Sequence, residues 1–162
     1  MPTNYSQSGS NPQETHVKYL GMYLDKGLNW KKHIQTKRKA LDMQLNNYNT
    51  LIGSRSPLWL ENKLLIYKCI LKLIWTYGIQ LWDTASNSNI EILQRFQSKT
   101  LRKITNSPWY VSNNRLHADL KIPTIKEEIH SKMLTYKTRL DIHPNTRTFT
   151  RLKRRAPQDI IC

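Results

Sequence analysis

The segment LLIYKCILKLIWTYGIQLW, residues Leu64–Trp82, is the most apolar stretch of the 162-residue chain and decides its fold class. A run of this length could cross a bilayer, but Lys68 and Lys72 would lie at mid-depth, where charged side chains are costly. We therefore interpret the segment as a core helix that is packed on several sides and ends near Gly78. The aromatic side chains expected in this packing are Trp75, Tyr77 and Trp82.

Helical signals flank this segment on its N-terminal side. Apolar residues between Trp30 and Ile52 recur at spacings of three, four and seven, which is typical of one face of a helix. The central helix is then expected to begin with Ser56 as its cap and Pro57 at its first position, and to end near Tyr77.

Three further helices are predicted on the C-terminal side. The sequence Ser88-Asn89-Ile90-Glu91 has the pattern of a capping box and predicts a helix start. A short helix is expected over residues 115–120, and a last helix, capped by Thr124, over residues up to about 142. The residues expected on the inner face of the helix after Ser88 are Ile90, Leu93, Phe96, Thr100, Leu101 and Ile104.

The ends of the chain differ from this helical region, residues 30–142. Residues 1–15 are polar and non-periodic, which predicts a disordered leader. Residues 16–29 contain the alternating, two-sided apolar stretch Val17–Leu24 followed by a turn at Asp25-Lys26-Gly27, which predicts a strand or hairpin. Residues 143–162 form a basic tail with the cluster Arg151–Arg155. The predicted fold is mainly α: a small helical bundle with a short N-terminal β-strand or hairpin.

The charge of the chain favours a polyanionic partner. Lysine and arginine number 26 against 11 acidic residues, for a formal net charge of +15. Nucleic acid is the leading candidate, because neutralised phosphates release counterions; an anionic membrane surface and a merely soluble basic surface are the alternatives. The two cysteines, Cys69 and Cys162, form no disulfide framework, which favours an intracellular setting, and Cys69 is expected to act as a small hydrophobe.

No catalytic constellation is recognisable in the sequence. The five histidines are scattered, and the aspartates stand alone rather than in the cluster that a two-metal site requires. We therefore expect no catalytic, metal or cofactor site, and no enzyme activity from the chain by itself.

Binding residues are predicted on the helix that follows Ser88. Arg95, Lys99 and Arg102 recur at helical spacing, with Lys103 adjacent, opposite the apolar inner face. Such a row can follow a phosphate backbone, although a solvated helix face has the same pattern. The residues predicted to contact nucleic acid are Arg95, Lys99, Arg102, Lys103, Lys31 and Lys32.

Three blocks of sequence carry a family resemblance: YLGMYLD (residues 19–25), WTYGIQLW (residues 75–82) and NSPWYVSNN (residues 106–114). In this order and at this spacing they resemble the C-terminal part of the reverse transcriptase of jockey-type non-LTR retrotransposons. Leu73 departs from the pattern, in which a proline is common before the WTYG block. The resemblance extends from about Pro12 to the end of the chain.

The resemblance implies a role for each part. Tyr19, Leu20 and Gly21 would belong to a primer-grip-like hairpin that closes the palm domain, and the helices to a thumb that holds an RNA–DNA hybrid or RNA template–primer. The resemblance implies that the family's catalytic carboxylates, and the Mg²⁺ of the parent polymerase, belong to the sequence before the YLG motif. The chain is therefore expected to be a truncated copy, a gene-model fragment or a fusion of new sequence onto an old element. The alternative is a remnant or domesticated module that contacts a protein, such as the palm domain, through Val17–Leu24.

Overall fold

The computed structural model describes residues 16–142, which form two short strands followed by a bundle of helices. The strands are β1 (His16–Tyr19) and β2 (Met22–Asp25). The helices are α1 (Lys31–Asn47), α2 (Asn49–Ile52), α3 (Leu60–Ile66), α4 (Lys72–Thr76), α5 (Ile79–Trp82), α6 (Asn87–Thr105), α7 (Asn113–Leu120) and α8 (Ile125–Ile142), with a π-helical turn, Tyr67–Leu71, between α3 and α4. The prediction of a mainly α fold with an N-terminal hairpin is confirmed. The predicted leader (residues 1–15) and basic tail (residues 143–162) lie outside the described residues.

The two strands pair antiparallel, from His16 opposite Asp25 to Tyr19 opposite Met22. Leu20 and Gly21 form the two-residue turn, and both have positive φ (46° and 75°). Such turns match the right-handed twist of the strands and favour glycine, because a side chain is strained at positive φ.

Helices α1 and α6 pack side by side and run in the same direction. At one end, the side-chain amide of Asn89 on α6 donates to the carbonyl of Asn29, just before α1 (2.9 Å). Midway, the guanidinium of Arg38 lies over the ring of Phe96, 4.7 Å from its centre. The chain returns between them through α3, the π turn and α4, so these segments form an up–down–up arrangement.

The helix at the centre of the bundle is α6. It contacts α1, α3, α7 and α8, and even polar side chains on it are buried. Gln97, for example, is buried and donates to the carbonyl of Pro123 (2.9 Å), which satisfies its amide hydrogen. The predicted inner face of this helix is confirmed in full, since all its members are buried: Ile90, Leu93, Phe96, Thr100, Leu101 and Ile104.

The apolar segment Leu64–Trp82 is packed on one side only, so the expectation of a helix covered on several sides is wrong. Leu65 and Leu73 are 57% and 61% exposed, and Cys69 is exposed rather than a small core residue. The segment is rich in apolar residues because one face packs in the core while the other presents an apolar surface to solvent.

The predicted aromatic packing of the same segment is confirmed for two of three residues. Trp75 and Trp82 are buried, whereas Tyr77 is 51% exposed. Gly78 ends α4 with a φ of 69°, as expected of a helix-breaking glycine. A side chain at this position would also collide with Met22 of β2, whose sulfur would lie 2.7 Å from the new Cβ.

Helix ends were predicted with mixed success. The prediction that Thr124 caps the last helix is confirmed, since Thr124 Oγ1 accepts from the Glu127 amide (3.3 Å). Glu127 also accepts from the Thr124 amide (2.8 Å), which completes a capping box that was not predicted. The box predicted at Ser88 is wrong, because α6 begins at Asn87 and Glu91 instead pairs with a lysine on α8. Likewise α3 begins at Leu60 rather than at residue 57.

Candidate nucleic-acid interface

The exposed edge of α6 carries two of the predicted basic residues, Arg95 and Lys99. The rest of this helix is largely covered by its neighbours, so these side chains occupy the strip that remains open to solvent. Lys103 follows one turn later, and a helix rises 1.5 Å per residue. Arg95, Lys99 and Lys103 therefore form a row about 12 Å long, which we call the cationic row.

Arg102 is engaged in a different contact from the other predicted cations. Its guanidinium donates to the carbonyl oxygens of Pro108 (2.9 Å) and Val111, and to the side-chain oxygen of Asn113 from both Nε (3.2 Å) and Nη2 (2.9 Å). These acceptors belong to the connection between α6 and α7 and to the first residue of α7. The planar donor fork of arginine suits such a cluster of acceptors.

The C-terminal end of the cationic row opens into a polar groove of about 580 Å³. Lys103 lines this groove together with Arg55, which lies in the loop between α2 and α3. The remaining lining residues carry hydroxyl or amide groups or no side chain, and no acidic residue is among them: Asn49, Thr50, Gly53, Ser54, Ser56 and Asn106. Two cations with several neutral hydrogen-bonding groups can hold an anion without a competing carboxylate.

A buried lysine supports the loop at this groove. The ammonium of Lys63, on α3, donates to the carbonyl of Gly53 (3.0 Å), and the lysine is only 7% exposed. Gly53, which follows the last residue of α2, also donates its amide to the carbonyl of Asn49 (2.9 Å). The backbone two residues before Arg55 is therefore held through both its amide and its carbonyl.

Lys31 and Lys32 lie far from this groove. Both are exposed in the first turn of α1. Because α1 and α6 run in the same direction, these lysines lie near the N-terminal end of α6, whereas Lys103 is in the last turn of α6. The structure thus separates the six predicted cations into the cationic row, the pair on α1, and Arg102 within its loop.

The residues predicted to be primer-grip-like form the hairpin turn. Tyr19 and Leu20 are exposed, and the hydroxyl of Tyr77 donates to the Leu20 carbonyl (2.8 Å). The ammonium of Lys37 lies over the ring of Tyr77, 4.8 Å from its centre, in a cation–π contact. Gly21 lies beside the same ring, so the turn is docked on the end of α4.

A buried histidine lies beneath the hairpin. Nδ1 of His33 accepts a long hydrogen bond from the Tyr23 amide (3.4 Å), which links α1 to β2. Burial, with the nearby charge of Lys37 as a second cause, lowers the pKa of His33 to about 4. Burial also lowers the pKa of Lys37 itself. His33 is therefore neutral at physiological pH.

Three exposed or groove-lining residues were missed by the sequence analysis: Arg55, Trp109 and Tyr110. Arg55 lies in a Gly-Ser-Arg-Ser-Pro loop, whose small residues were a signal for a loop but not for its position beside α6. Trp109 and Tyr110 were noticed only as part of a family motif, although two adjacent aromatics after a proline in a polar loop are unusual in themselves.

Two kinds of feature are absent from residues 16–142. No three histidine, cysteine or acidic side chains lie close enough together to hold a metal ion in that range. Nor does any helix among the described residues combine the length and hydropathy needed to cross a membrane.

The relatives found by comparison with known proteins are all described as RNA-directed DNA polymerases of transposons or mobile elements. The chain is 40% identical, over 99% of its length, to a probable RNA-directed DNA polymerase from transposon X-element of Drosophila melanogaster. It is 34% identical over 95% of its length to the RNA-directed DNA polymerase from mobile element jockey of Drosophila funebris, and 32% identical over 89% to a probable polymerase from transposon BS of Drosophila melanogaster. The chain spans only 18%, 19% and 17% of these proteins. No family model and no solved structure matches it.

Proposed function

This chain belongs to the jockey-type RNA-directed DNA polymerases and corresponds to a short segment of these proteins, and we propose that the segment holds the template–primer nucleic acid. The observation that carries the proposal is the cationic row, Arg95, Lys99 and Lys103, which leads into the acid-free groove beside Arg55. Binding is electrostatic and independent of sequence, since lysine and arginine contact backbone phosphates. An RNA–DNA hybrid or an RNA template–primer is the expected ligand.

The cationic row and the groove contact different parts of the nucleic-acid backbone. Arg95 and Lys99 are exposed and reach the backbone as a strand passes along α6. Lys103 and Arg55 hold one phosphate between them at the groove, where the surrounding hydroxyl and amide groups complete its hydrogen bonds. Arg102 contributes through the loop that it holds and not by contact with phosphate.

The test is the affinity of the full chain for a labelled hybrid duplex across a salt series. Each phosphate contact contributes roughly 0.9 to the log–log salt slope, so Lys99→Gln with Lys103→Gln should lower the slope by about two. At 0.1 M salt the same arithmetic gives a loss of affinity of roughly 50-fold.

The matched control removes the same charge from other elements. Lys68 is exposed on the π turn and Lys137 is exposed on α8, so Lys68→Gln with Lys137→Gln has the same net charge as the test variant. We expect the control to keep the full slope. Equal losses in the two variants would show that only net charge matters and would refute the assignment to α6.

We also propose that polymerisation depends on other parts of the parent polymerase. The aspartates of this chain stand alone in sequence and its adjacent acidic pair, Glu127-Glu128, lies on one helix, where neighbours do not share a face. Phosphoryl transfer needs carboxylates that hold metal ions together. Primer extension by the purified chain should be undetectable with Mg²⁺ present. Extension that disappears on chelation of Mg²⁺ would refute this proposal.

A protein-docking surface is a second candidate function, favoured by the exposed apolar side chains along the segment Leu64–Trp82. Leu65 and Leu73 lie on the open face of the apolar segment, and Tyr77 connects this face to Leu20 in the hairpin turn. An apolar surface of this kind on a basic chain fits a neighbouring domain of the same polymerase, such as the palm.

Without that domain the surface should drive self-association. We expect the isolated chain to form concentration-dependent oligomers in sedimentation velocity experiments. Leu65→Lys with Leu73→Lys should restore the monomer, because charged side chains oppose apolar burial. A wild-type chain that stays monomeric at high concentration would contradict this second function.

A further inference from the structure

The loop between α6 and α7 presents two aromatic side chains to solvent. Trp109 is 89% exposed and Tyr110 is 72% exposed. Their rings lie edge to face with centres 6.1 Å apart. Large aromatic side chains are usually well buried, because their apolar surface is costly to hydrate. An adjacent pair that is almost fully exposed is therefore a feature that folding alone does not explain.

The loop that carries this pair is held in one conformation. Arg102 anchors the carbonyls of Pro108 and Val111 and the side chain of Asn113, so the loop is fixed before and after the aromatic pair. The amide of Val111 also donates to the Pro108 carbonyl across the pair (3.3 Å). At the other end, the hydroxyl of Ser112 accepts from the amide of Arg115 and caps α7.

A rigid aromatic surface loses little conformational entropy when a ligand binds to it. Both faces of an exposed indole are suited to stacking on another planar ring, and every nucleobase has such a face. The surrounding charges favour a polyanion. Lys99 lies three residues before Arg102 on the helix, Lys103 adjoins Arg102, and Arg115 is exposed at the start of α7. A nucleic-acid strand that follows the cationic row would therefore reach the aromatic pair at the end of α6.

We propose that Trp109 and Tyr110 form a stacking platform for an unpaired nucleobase beside the cationic row. This inference rests on the proposed function, because the row supplies the contacts to the backbone and the platform supplies contact to a base. It adds a preference: a duplex whose end continues as a single strand should bind more tightly than a blunt duplex, since bases within a duplex are already stacked and cannot reach the platform.

The experiment compares a blunt RNA–DNA hybrid with the same hybrid carrying a four-nucleotide single-stranded overhang. Stacking of one base on an aromatic side chain is worth roughly tenfold in affinity, so the full chain should prefer the overhang by about that factor. A 2-aminopurine in the overhang should lose fluorescence on binding. Trp109→Ala with Tyr110→Ala should abolish both the preference and the quenching while leaving affinity for the blunt hybrid unchanged.

Two further variants separate the platform from general effects. Trp59 is 80% exposed in the loop before α3. Trp59→Ala therefore removes an exposed aromatic side chain elsewhere and should leave the overhang preference and the fluorescence quenching unchanged. Arg102→Gln removes most of the loop's anchoring bonds and should weaken the overhang preference more than the blunt affinity. Circular dichroism spectra of all variants should match that of the wild type.

The outcomes distinguish failure of this inference from failure of the proposed function. Salt-dependent binding of the blunt hybrid, with no overhang preference or with a preference that survives the double alanine variant, overturns the platform alone. No binding of either duplex overturns both. Loss of self-association in Trp109→Ala with Tyr110→Ala, without any effect on nucleic acid, would overturn the platform and assign the pair to a protein partner.

Discussion

His33 should make the stability of this fold depend on pH in the mildly acidic range. It is 1% exposed, and its Nδ1 accepts the amide hydrogen of Tyr23. Its Nε2 is buried without a hydrogen-bond partner among residues 16–142, so protonation would place a charge where nothing stabilises it. Burial, with the charge of Lys37 as a second cause, lowers the pKa from 6.5 to about 4.

The direction in which the unfolding free energy changes with pH follows from whether the folded or the unfolded chain binds the proton on His33 more readily. Between pH 6.5 and 4 the unfolded chain protonates His33 and the folded chain does not, so the free energy of unfolding falls as the pH falls. The contribution is complete above pH 6.5 and is lost by about pH 4. One pKa unit corresponds to 1.36 kcal/mol, so the loss is on the order of 3 kcal/mol.

Urea denaturation monitored by circular dichroism at several pH values between 4 and 8 measures this loss. Carboxylates also titrate in this range, so the useful quantity is the difference between the wild type and His33→Gln. Glutamine retains a hydrogen-bond acceptor for Tyr23 but does not titrate. His130 is exposed on α8, and His130→Gln is the matched control. An unfolding free energy that falls equally in the wild type and in His33→Gln would refute this reasoning.

Three further predictions concern packing and buried polar groups. Gly78→Ala should destabilise the fold by about 2 kcal/mol or more in urea denaturation, because the new Cβ meets the Met22 sulfur at 2.7 Å and φ is 69°. Burial raises the pKa of Tyr67 from 10 to about 12, so the unfolded chain loses this proton first and the unfolding free energy should fall as pH rises from 10; Tyr67→Phe should remove that dependence. Lys72→Met leaves the buried carboxylate of Glu128 without its 2.9 Å partner and should cost about 2 kcal/mol, seen also as faster proteolysis within α8.

The helices were predictable from sequence because their signals are local. The spacing of apolar residues placed the inner face of α6 correctly, from Ile90 to Ile104. The cap at Thr124 was predictable because its hydrogen bond joins residues three apart. The similar pattern at Ser88 did not form a box, since Glu91 found a partner on another helix. Local patterns hold only where no tertiary contact competes with them.

The candidate site was only partly predictable for the same reason. Arg95, Lys99 and Arg102 lie on the same face of a helical wheel. Of the three, Arg102 donates to carbonyl oxygens of a neighbouring loop. Most of its acceptors are backbone carbonyls, and the side-chain acceptor, Asn113, lies eleven residues away, so no local pattern marks these contacts in the sequence. Arg55 joins Lys103 only because α2 and the end of α6 lie together, and this depends on the shared direction of α1 and α6.

The sequence by itself determined that the chain is basic, mainly helical and related to jockey-type polymerases, since charge, periodicity and motif order are properties of the chain alone. Only the tertiary structure decided which helix lies at the centre. The segment Leu64–Trp82 has the higher hydropathy, but one of its faces is open to solvent, whereas α6 buries polar as well as apolar side chains. Burial depends on what covers a surface as well as on its composition. The structure likewise decided that Arg102 is engaged by a neighbouring loop, because the acceptors around its guanidinium come from another part of the chain.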